Sequence, residues 1–188
     1  DCHNPHSLEL KFTGNKLCLQ CHVPGDYDSK KHHFHEVASE AGQCINCHMT
    51  GKYYMGNDFR RDHSFRIPRP DQSLAYGTPN ACNECHNDKS EKWASDWVVK
   101  WYGPDRAPHF SDYLLLSYDE DLSASDQAKL VSFINDLNFP AISRSTLMNN
   151  LAFNGREDVE AVLRSLQDSS AVVRYNALTQ FRGISQED

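Results

Sequence analysis

The chain has 188 residues, of which 39% are hydrophobic and 24% are charged, and its formal net charge is −7. This composition is typical of a soluble globular protein of one or two domains. No apolar run reaches the roughly 18 residues of a membrane span, and the acidic balance argues against nucleic acid as a partner because phosphate binding needs clustered Lys and Arg.

The unusual residues are concentrated in one part of the chain. All seven cysteines and all ten histidines lie within residues 1–110. That stretch has 13 basic and 14 acidic groups, a charge of −1, whereas residues 111–188 have 6 and 12, a charge of −6. Because composition and charge change at the same place, we predict two domains with these bounds.

Six of the cysteines follow one rule. The pattern C-x-x-C-H is the attachment signature of c-type haem, because two thiols add to the vinyl groups of one porphyrin while the adjacent imidazole binds the iron. We therefore predict three covalent haem c sites. Their predicted haem-binding thiols are Cys18, Cys21, Cys44, Cys47, Cys82 and Cys85, and their proximal iron ligands are His22, His48 and His86.

The seventh cysteine extends the pattern. Cys2-His3 matches the last two letters of a fourth motif, whose first cysteine would precede Asp1. We therefore expect a fourth haem here, and a chain that is a fragment of a longer protein with its signal peptide upstream. The alternative is a native start with a free or singly linked Cys2, although free thiols are unusual in secreted chains.

Two other uses of C-x-x-C are less consistent with the sequence. A structural zinc site needs four ligands, and here each cysteine pair has its own His and no matching second pair. A thioredoxin-like redox pair would need a βαβ setting, which the flanking sequence does not resemble. The stretches between the motifs are polar and poor in Val, Ile and Leu. We therefore expect the porphyrins to form the core, wrapped by loops and short helices.

Each iron needs a second axial ligand. Met49 and Met55 are too few to serve every site, so bis-histidine iron is the expectation. Neighbouring histidines in Lys30–His35 point in different directions, so one segment can serve two irons, and the choice between His32 and His33 stays open. The candidates for the second position are His6, His32, His33, His35, His63 and His109.

Two further features of this stretch point to haem. Arg60–Arg69 contains four arginines around His63; they either form a solvated loop or pair with haem propionates, and we favour the second interpretation. Ser90 is predicted to cap a helix with a tryptophan at every fourth position from Trp93 to Trp101. We expect this stripe to pack against porphyrin.

Residues 111–188 predict two pairs of helices. Ser123 or Ser125 is expected to cap the first helix, and Pro140 stands at the start of the second. Related positions recur 30 residues apart, as at Arg144 and Arg174. This period resembles HEAT-type repeats, and a plain four-helix bundle is the alternative.

Several strings resemble a known family. They are similar to the C-terminal haem-rich part of large bacterial multihaem c-type cytochromes that carry HEAT or tetratricopeptide repeats. The resemblance implies a mainly α fold, in which a loop-rich multihaem domain precedes a small HEAT-like domain, with further haem motifs upstream. It also implies kinship with the haem packing of multihaem nitrite and hydroxylamine enzymes. The strings are Asp1–Ser7, Cys47–Met49, Arg60–Asp71, Gly77–His86 and Trp93–Pro104.

These observations favour electron transfer through closely spaced bis-His haems, with no substrate at the iron. We therefore expect an electron carrier rather than an enzyme. The main alternative is an oxidoreductase of the multihaem nitrite or hydroxylamine type, with its catalytic haem upstream; a purely structural role is the weakest. Expected partners are redox proteins or other copies of this chain. Because covalent haem attachment implies maturation outside the cytoplasm, we expect a periplasmic or extracellular location in a bacterium.

Overall fold

The computed structural model describes residues 2–152 and 155–181 and is mainly helical. The chain divides into two compact units, Asp1–Pro104 and Asp105–Asp188. The structure therefore groups His109 with the second unit, whereas the sequence-based boundary followed residue 110. Residue 1 and residues 153–154 and 182–188 of the predicted domains lie outside the described residues. No helix within the described ranges is long and apolar enough to cross a bilayer.

The first unit consists of short elements joined by loops. Two 3-10 turns span Gly14–Leu17 and Glu40–Gly42. The strands β1 (Gly51–Tyr54) and β2 (Asp58–Arg61) form an antiparallel hairpin in which Gly51 lies opposite Arg61. The helices are α1 (Pro24–Tyr27), α2 (Lys30–His33), α3 (Cys44–His48), α4 (Pro70–Tyr76), α5 (Ala81–Cys85) and α6 (Glu91–Tyr102).

The first unit has a small apolar core. Among its described residues, the buried hydrophobic side chains are Ala81, Ala94 and Val98. Large apolar side chains remain uncovered, including Met55 at 96% exposure and Leu8 at 73%. Protein side chains alone therefore bury little apolar surface in this unit, as its sequence predicted.

The longest helix of the unit begins where the sequence placed it. The Ser90 hydroxyl accepts a hydrogen bond from the Trp93 backbone N–H at 3.2 Å, which confirms the predicted N-cap of α6. The rings of Trp93 and Trp97 lie 6.3 Å apart, and those of Trp97 and Trp101 lie 5.6 Å apart. The tryptophans therefore form one continuous row along α6, which packs against α4.

The hairpin was not predicted from the sequence. Its strands are short, and the connection between them contains Met55 and Gly56, both at positive φ. Gly51 allows the Phe59 ring to cross its strand, because an added Cβ would lie 2.4 Å from Phe59 Cζ. The hairpin brings Arg61 next to α3, which matters for the site described below.

The second unit is a set of packed helices. Ser123 caps α8 by accepting from the Asp126 backbone N–H at 3.1 Å, and Pro140 directly precedes α9, so both predicted starts are confirmed. Helix α9 packs against α11, and α10 packs against α8 and α11. The first helix of the unit was not predicted. The helices are α7 (Phe110–Leu116), α8 (Ala124–Phe133), α9 (Ala141–Asn150), α10 (Arg156–Ser165) and α11 (Ala171–Gln180).

A buried ion pair lies beside the core of this unit. Side chains from α8 to α11 form one apolar cluster that includes Phe133 and Leu147, both at most 1% exposed. Arg144 Nη1 lies 2.5 Å from Asp168 Oδ2, and the two side chains are 4% and 5% exposed. Arg174 donates to the backbone carbonyl of the same aspartate at 2.7 Å. The two arginines that recur 30 residues apart therefore meet at Asp168.

Candidate functional site

The three C-x-x-C-H motifs occupy helical turns. The motif at Cys44–His48 is the whole of α3. Cys82 and Cys85 lie in α5, His86 directly follows this helix, and Asn80 caps it by accepting from the Asn83 backbone N–H at 3.1 Å. In the remaining motif, the His22 N–H donates to the Cys18 carbonyl at 3.1 Å. A helical turn places residues three apart on one face, so both thiols of each motif are presented together. No disulfide bond joins any of the seven cysteines, all of which lie in the described residues.

The thiols of different motifs are neighbours. Burial and the nearby Cys18 thiol, which is hydrogen-bonded to that of Cys44, raise the pKa of Cys44 to about 11. Burial also raises the pKa of Cys47 to about 11, with Cys82 and Cys85 as the nearby groups. Helix α3 therefore lies between the other two motifs.

Three of the motif histidines each lie close to a histidine from elsewhere in the first unit. The ring centroids of His48 and His32 lie 6.0 Å apart. Those of His86 and His35 lie 6.3 Å apart. The third pair, His3 and His63, has the same 6.3 Å separation. Every pair joins one motif histidine to one predicted second ligand.

This spacing fits an iron held between two imidazoles. Two metal–nitrogen bonds of about 2 Å each, with roughly 1 Å from each nitrogen to its ring centre, separate the centroids of two trans imidazoles by about 6 Å. Among the described residues, no group of three or more His, Cys, Asp or Glu could hold a metal ion. Haem iron needs only two protein ligands, because the porphyrin supplies the others.

Hydrogen bonds prepare several of these rings for metal binding. His3 Nδ1 lies 2.7 Å from the Leu8 carbonyl, and His48 Nδ1 lies 2.8 Å from the Arg66 carbonyl. His63 Nδ1 makes the same kind of contact at 2.9 Å, with the Arg61 carbonyl. A carbonyl only accepts, so each Nδ1 carries the proton. Each Nε2 then presents its lone pair to a metal, which is the usual arrangement of a histidine ligand.

The remaining predicted ligands are placed differently. His22 makes an edge contact with Tyr27 at 5.0 Å between centroids, and the structure gives it no facing imidazole within the described residues. His6 is exposed. His109 belongs to the second unit, where it caps α7 by accepting the Ser111 backbone N–H at Nδ1, 3.3 Å away. Within the described residues of the first unit, neither His22 nor His6 therefore belongs to an imidazole pair like the three above.

His33 has an unusual environment between two paired histidines. Its Nδ1 accepts the His35 backbone N–H at 3.2 Å, and its carbonyl lies 2.5 Å from His35 Nδ1. Its Nε2 is buried with no hydrogen-bond partner. Burial lowers the pKa values of both His33 and His32, so both rings favour the neutral form that metal binding requires. A buried polar atom without a partner indicates a missing group at this place.

The four arginines near His63 contact protein groups. Arg61 donates to the carbonyls of Ile45 and Met49, at 3.1 and 2.9 Å, and to Asn46 Oδ1 at 3.0 Å. It therefore closes the C-terminal end of α3, a role that sequence reasoning missed because the contact spans a hairpin. Each of the other three forms an ion pair with an aspartate close to it in the sequence: Arg60 with Asp58, Arg66 with Asp62 and Arg69 with Asp71.

Aromatic side chains connect the segment that carries His32 and His35 to α6. Phe34 stacks on Trp101 with centroids 4.4 Å apart and planes only 2° from parallel. At the other end of the row, Trp93 lies 4.9 Å from the ring of His86. The tryptophan row therefore runs from a proximal histidine to the segment that carries its facing partner, His35. Phe34 was not identified from the sequence, where it has no motif of its own.

Comparison with known proteins adds no relative. No protein-family model, no curated protein and no solved structure matches this chain. Its function is therefore argued from the geometry of these residues.

Proposed function

We propose that this chain is a c-type cytochrome that transfers electrons through covalently bound, bis-histidine haems. The observation that carries the proposal is the set of three imidazole pairs, each joining one motif histidine to one separate histidine at 6.0 to 6.3 Å. If the ten histidines were packed at random, pairs that each join a motif histidine to a separate histidine would not be expected. The residues that would hold haem are Cys2, Cys18, Cys21, Cys44, Cys47, Cys82 and Cys85, with the pairs His3 and His63, His48 and His32, His86 and His35, and with His22 as a fourth proximal ligand.

The arrangement favours electron transfer over catalysis. Two imidazoles fill both axial positions of an iron, so such an iron has no place for a substrate. The neighbouring thiols of Cys18 and Cys44, and of Cys47 and Cys82, support close spacing of successive haems. When bound, the haems supply one-electron chemistry, and this chain's residues orient them and exclude other ligands.

The same proposal explains the sparse core of the first unit. Porphyrin faces are large and apolar, and they would cover side chains such as Met55 and Leu8 that protein atoms leave exposed. We propose further that the helical second unit is a HEAT-like repeat pair, supported by the 30-residue spacing of the two arginines at Asp168. Redox proteins or other copies of the chain are the proposed partners. The proposed location is periplasmic or extracellular, because haem is attached covalently there.

Intact-mass measurement tests the proposal directly. The protein matured in a host that attaches haem c should gain the mass of one haem for each motif, retain its haem absorbance after denaturation, and give peroxidase staining on a gel. A mass equal to the bare polypeptide, or colour removed by acid-acetone, would contradict covalent attachment. His35→Ala should convert the haem carried by His86 to a high-spin form that binds carbon monoxide, because His35 lies opposite that motif histidine. His6→Ala is the matched control, since His6 faces no motif histidine, and it should leave the spectrum unchanged.

One observation favours the oxidoreductase alternative. His22 contacts Tyr27 and not a second imidazole among the residues described. A haem carried by Cys18, Cys21 and His22 is therefore the site in this chain where a small ligand would bind, without recourse to an upstream haem. Carbon monoxide decides between the two functions. An unchanged spectrum of the reduced, unmutated protein supports the carrier, whereas stoichiometric binding at one haem supports the enzyme.

A further inference from the structure

His33 lies between two histidines that face motif histidines, yet its own hydrogen bonds are of the opposite kind. Its Nδ1 accepts the backbone N–H of His35 at 3.2 Å. A neutral imidazole that accepts at Nδ1 carries its proton on Nε2. His3, His48 and His63 show the reverse pattern, with Nδ1 against a carbonyl. The structure therefore separates His33 from the rings that present Nε2 as a lone pair.

The Nε2–H of His33 is a buried donor that lacks an acceptor in the described part of the chain. Asp28 is close enough to influence His33 electrostatically, but its carboxylate accepts from the Asn15 side chain at 2.9 Å. Leaving a buried donor without an acceptor is costly. Because no acceptor reaches this donor within the described residues, a group from outside the polypeptide can accept from it, beside the segment that carries His32 and His35.

We propose that His33 Nε2 donates a hydrogen bond to a haem propionate and is a positioning residue, not an axial ligand. This rests on the proposed function, since the propionate belongs to the haem carried by His48 or by His86. Propionate carboxylates are the strong hydrogen-bond acceptors that a haem presents, and a bond from N–H to a carboxylate is among the stronger kinds. His33 also fixes His35, whose Nδ1 lies 2.5 Å from the His33 carbonyl. His33 would thus position both the propionate edge of a haem and the neighbouring proposed ligand, His35.

The test compares His33→Leu, which removes the donor, with His33→Gln, which keeps a side-chain N–H at a similar reach. Resonance Raman spectra report the propionate bending band, and absorption spectra with and without carbon monoxide report axial ligation. We expect His33→Leu to keep the unmutated haem count and low-spin spectrum, to shift the propionate band, and to lower one midpoint potential. The potential falls because a carboxylate that loses its donor is more negative and favours ferric iron. His33→Gln should restore both values.

Two results would overturn the proposal. A high-spin, carbon-monoxide-binding haem in both His33 variants would make His33 an axial ligand. A propionate band identical in the unmutated protein and His33→Leu would show that no propionate accepts from it. If His33→Leu fails to fold, the band of the unmutated protein in deuterium oxide gives the same decision, since a hydrogen-bonded N–H shifts it on exchange.

The two candidate haems are distinguished in His32→Ala and His35→Ala backgrounds, each of which marks one iron by a high-spin spectrum. The shift caused by the His33 substitution should appear at the high-spin haem in only one of these two variants. Failure of the proposed function is distinguished from failure of the His33 proposal by mass. A protein without covalent haem is recognised by its mass before any His33 variant is made.

Discussion

Arg61 offers a sharp test of how α3, the helix that carries one of the proposed haem motifs, is held in place. Its guanidinium donates to two carbonyls at the end of α3 and to Asn46 Oδ1, at 2.9 to 3.1 Å. Hydrogen bonds from charged groups contribute about 1.5–3 kcal/mol where they are shielded from water, and a cation at a helix C-terminus adds roughly 0.3–1 kcal/mol. Because Arg61 is only partly buried and such contributions are not additive, we expect Arg61→Ala to cost about 2–3 kcal/mol of unfolding free energy.

The matched control is the adjacent residue of the same strand. The Arg60 side chain is 64% exposed and pairs with Asp58, which is 50% exposed. Exposed ion pairs contribute about 0–1 kcal/mol, so Arg60→Ala should change stability little. Arg61→Lys keeps the charge but loses the planar fork that reaches several acceptors, so its stability should fall between those of Arg61→Ala and the unmutated protein.

Urea unfolding followed by circular dichroism and haem absorbance measures these differences. Loss of the Arg61 contacts should also loosen α3, so that part of the haem carried by His48 becomes high-spin in native buffer. Equal midpoints for Arg61→Ala and Arg60→Ala, at unchanged slope, would show that the contacts to α3 contribute nothing and would refute the reasoning.

Four further predictions concern other parts of the chain. Arg144→Met or Asp168→Leu alone should lower the free energy of unfolding by about 3–5 kcal/mol, because each leaves a buried charge unpaired. In thermal unfolding, the double variant should recover much of this loss, and additive losses would contradict the reasoning. Because the hydrogen bond from Arg144 lowers the pKa of Asp168, the pair stabilises the fold at neutral pH, and melts at decreasing pH should lose this contribution as the pH falls through the lowered pKa. Phe34→Ala removes the ring that stacks on Trp101, so His35 should be positioned less firmly and carbon monoxide binding at one haem should increase. An unchanged spectrum would show that this stacking does not position His35. Reduction by a basic redox partner should slow with added salt, since the chain carries −7 before propionates are counted, and a rate indifferent to ionic strength would argue against electrostatic steering.

Local signals in the sequence were sufficient for the helix starts. Ser90 and Ser123 each satisfy a backbone N–H within their own first turn, and Pro140 stands where a helix can begin without its N–H. These contacts involve residues three or fewer positions apart, so the sequence pattern contains all the needed information. The hairpin escaped prediction because each of its strands has only four residues and is largely exposed. Helix α7 escaped because the apolar run Tyr113–Leu116 is too short to identify a helix by its period.

The pairing of histidines could not be read from the sequence. His32 and His33 are adjacent in α2, and neither spacing nor composition distinguishes them. The distinction comes from long-range placement, which sets the ring of His32 opposite His48, and from hydrogen bonds to His35 that fix the ring of His33 in the other tautomer. The contacts of Arg61 with α3 likewise depend on a hairpin that brings together residues distant in sequence.

The backbone at Phe34 explains how one short segment can reach two motif histidines. Helix α2 ends at this residue, whose φ of 58° lies in the left-handed region that side chains with a Cβ rarely adopt. The chain therefore turns sharply between His32 and His35, so their imidazoles reach His48 and His86 respectively. The stacking of Phe34 on Trp101 offsets the cost of this conformation and explains why a bulky ring occupies a position that favours glycine. The positive φ at this residue thus places an aromatic ring against Trp101 and sets the directions of two proposed iron ligands. It links the tryptophan row of α6 to the spacing of the two proposed haems.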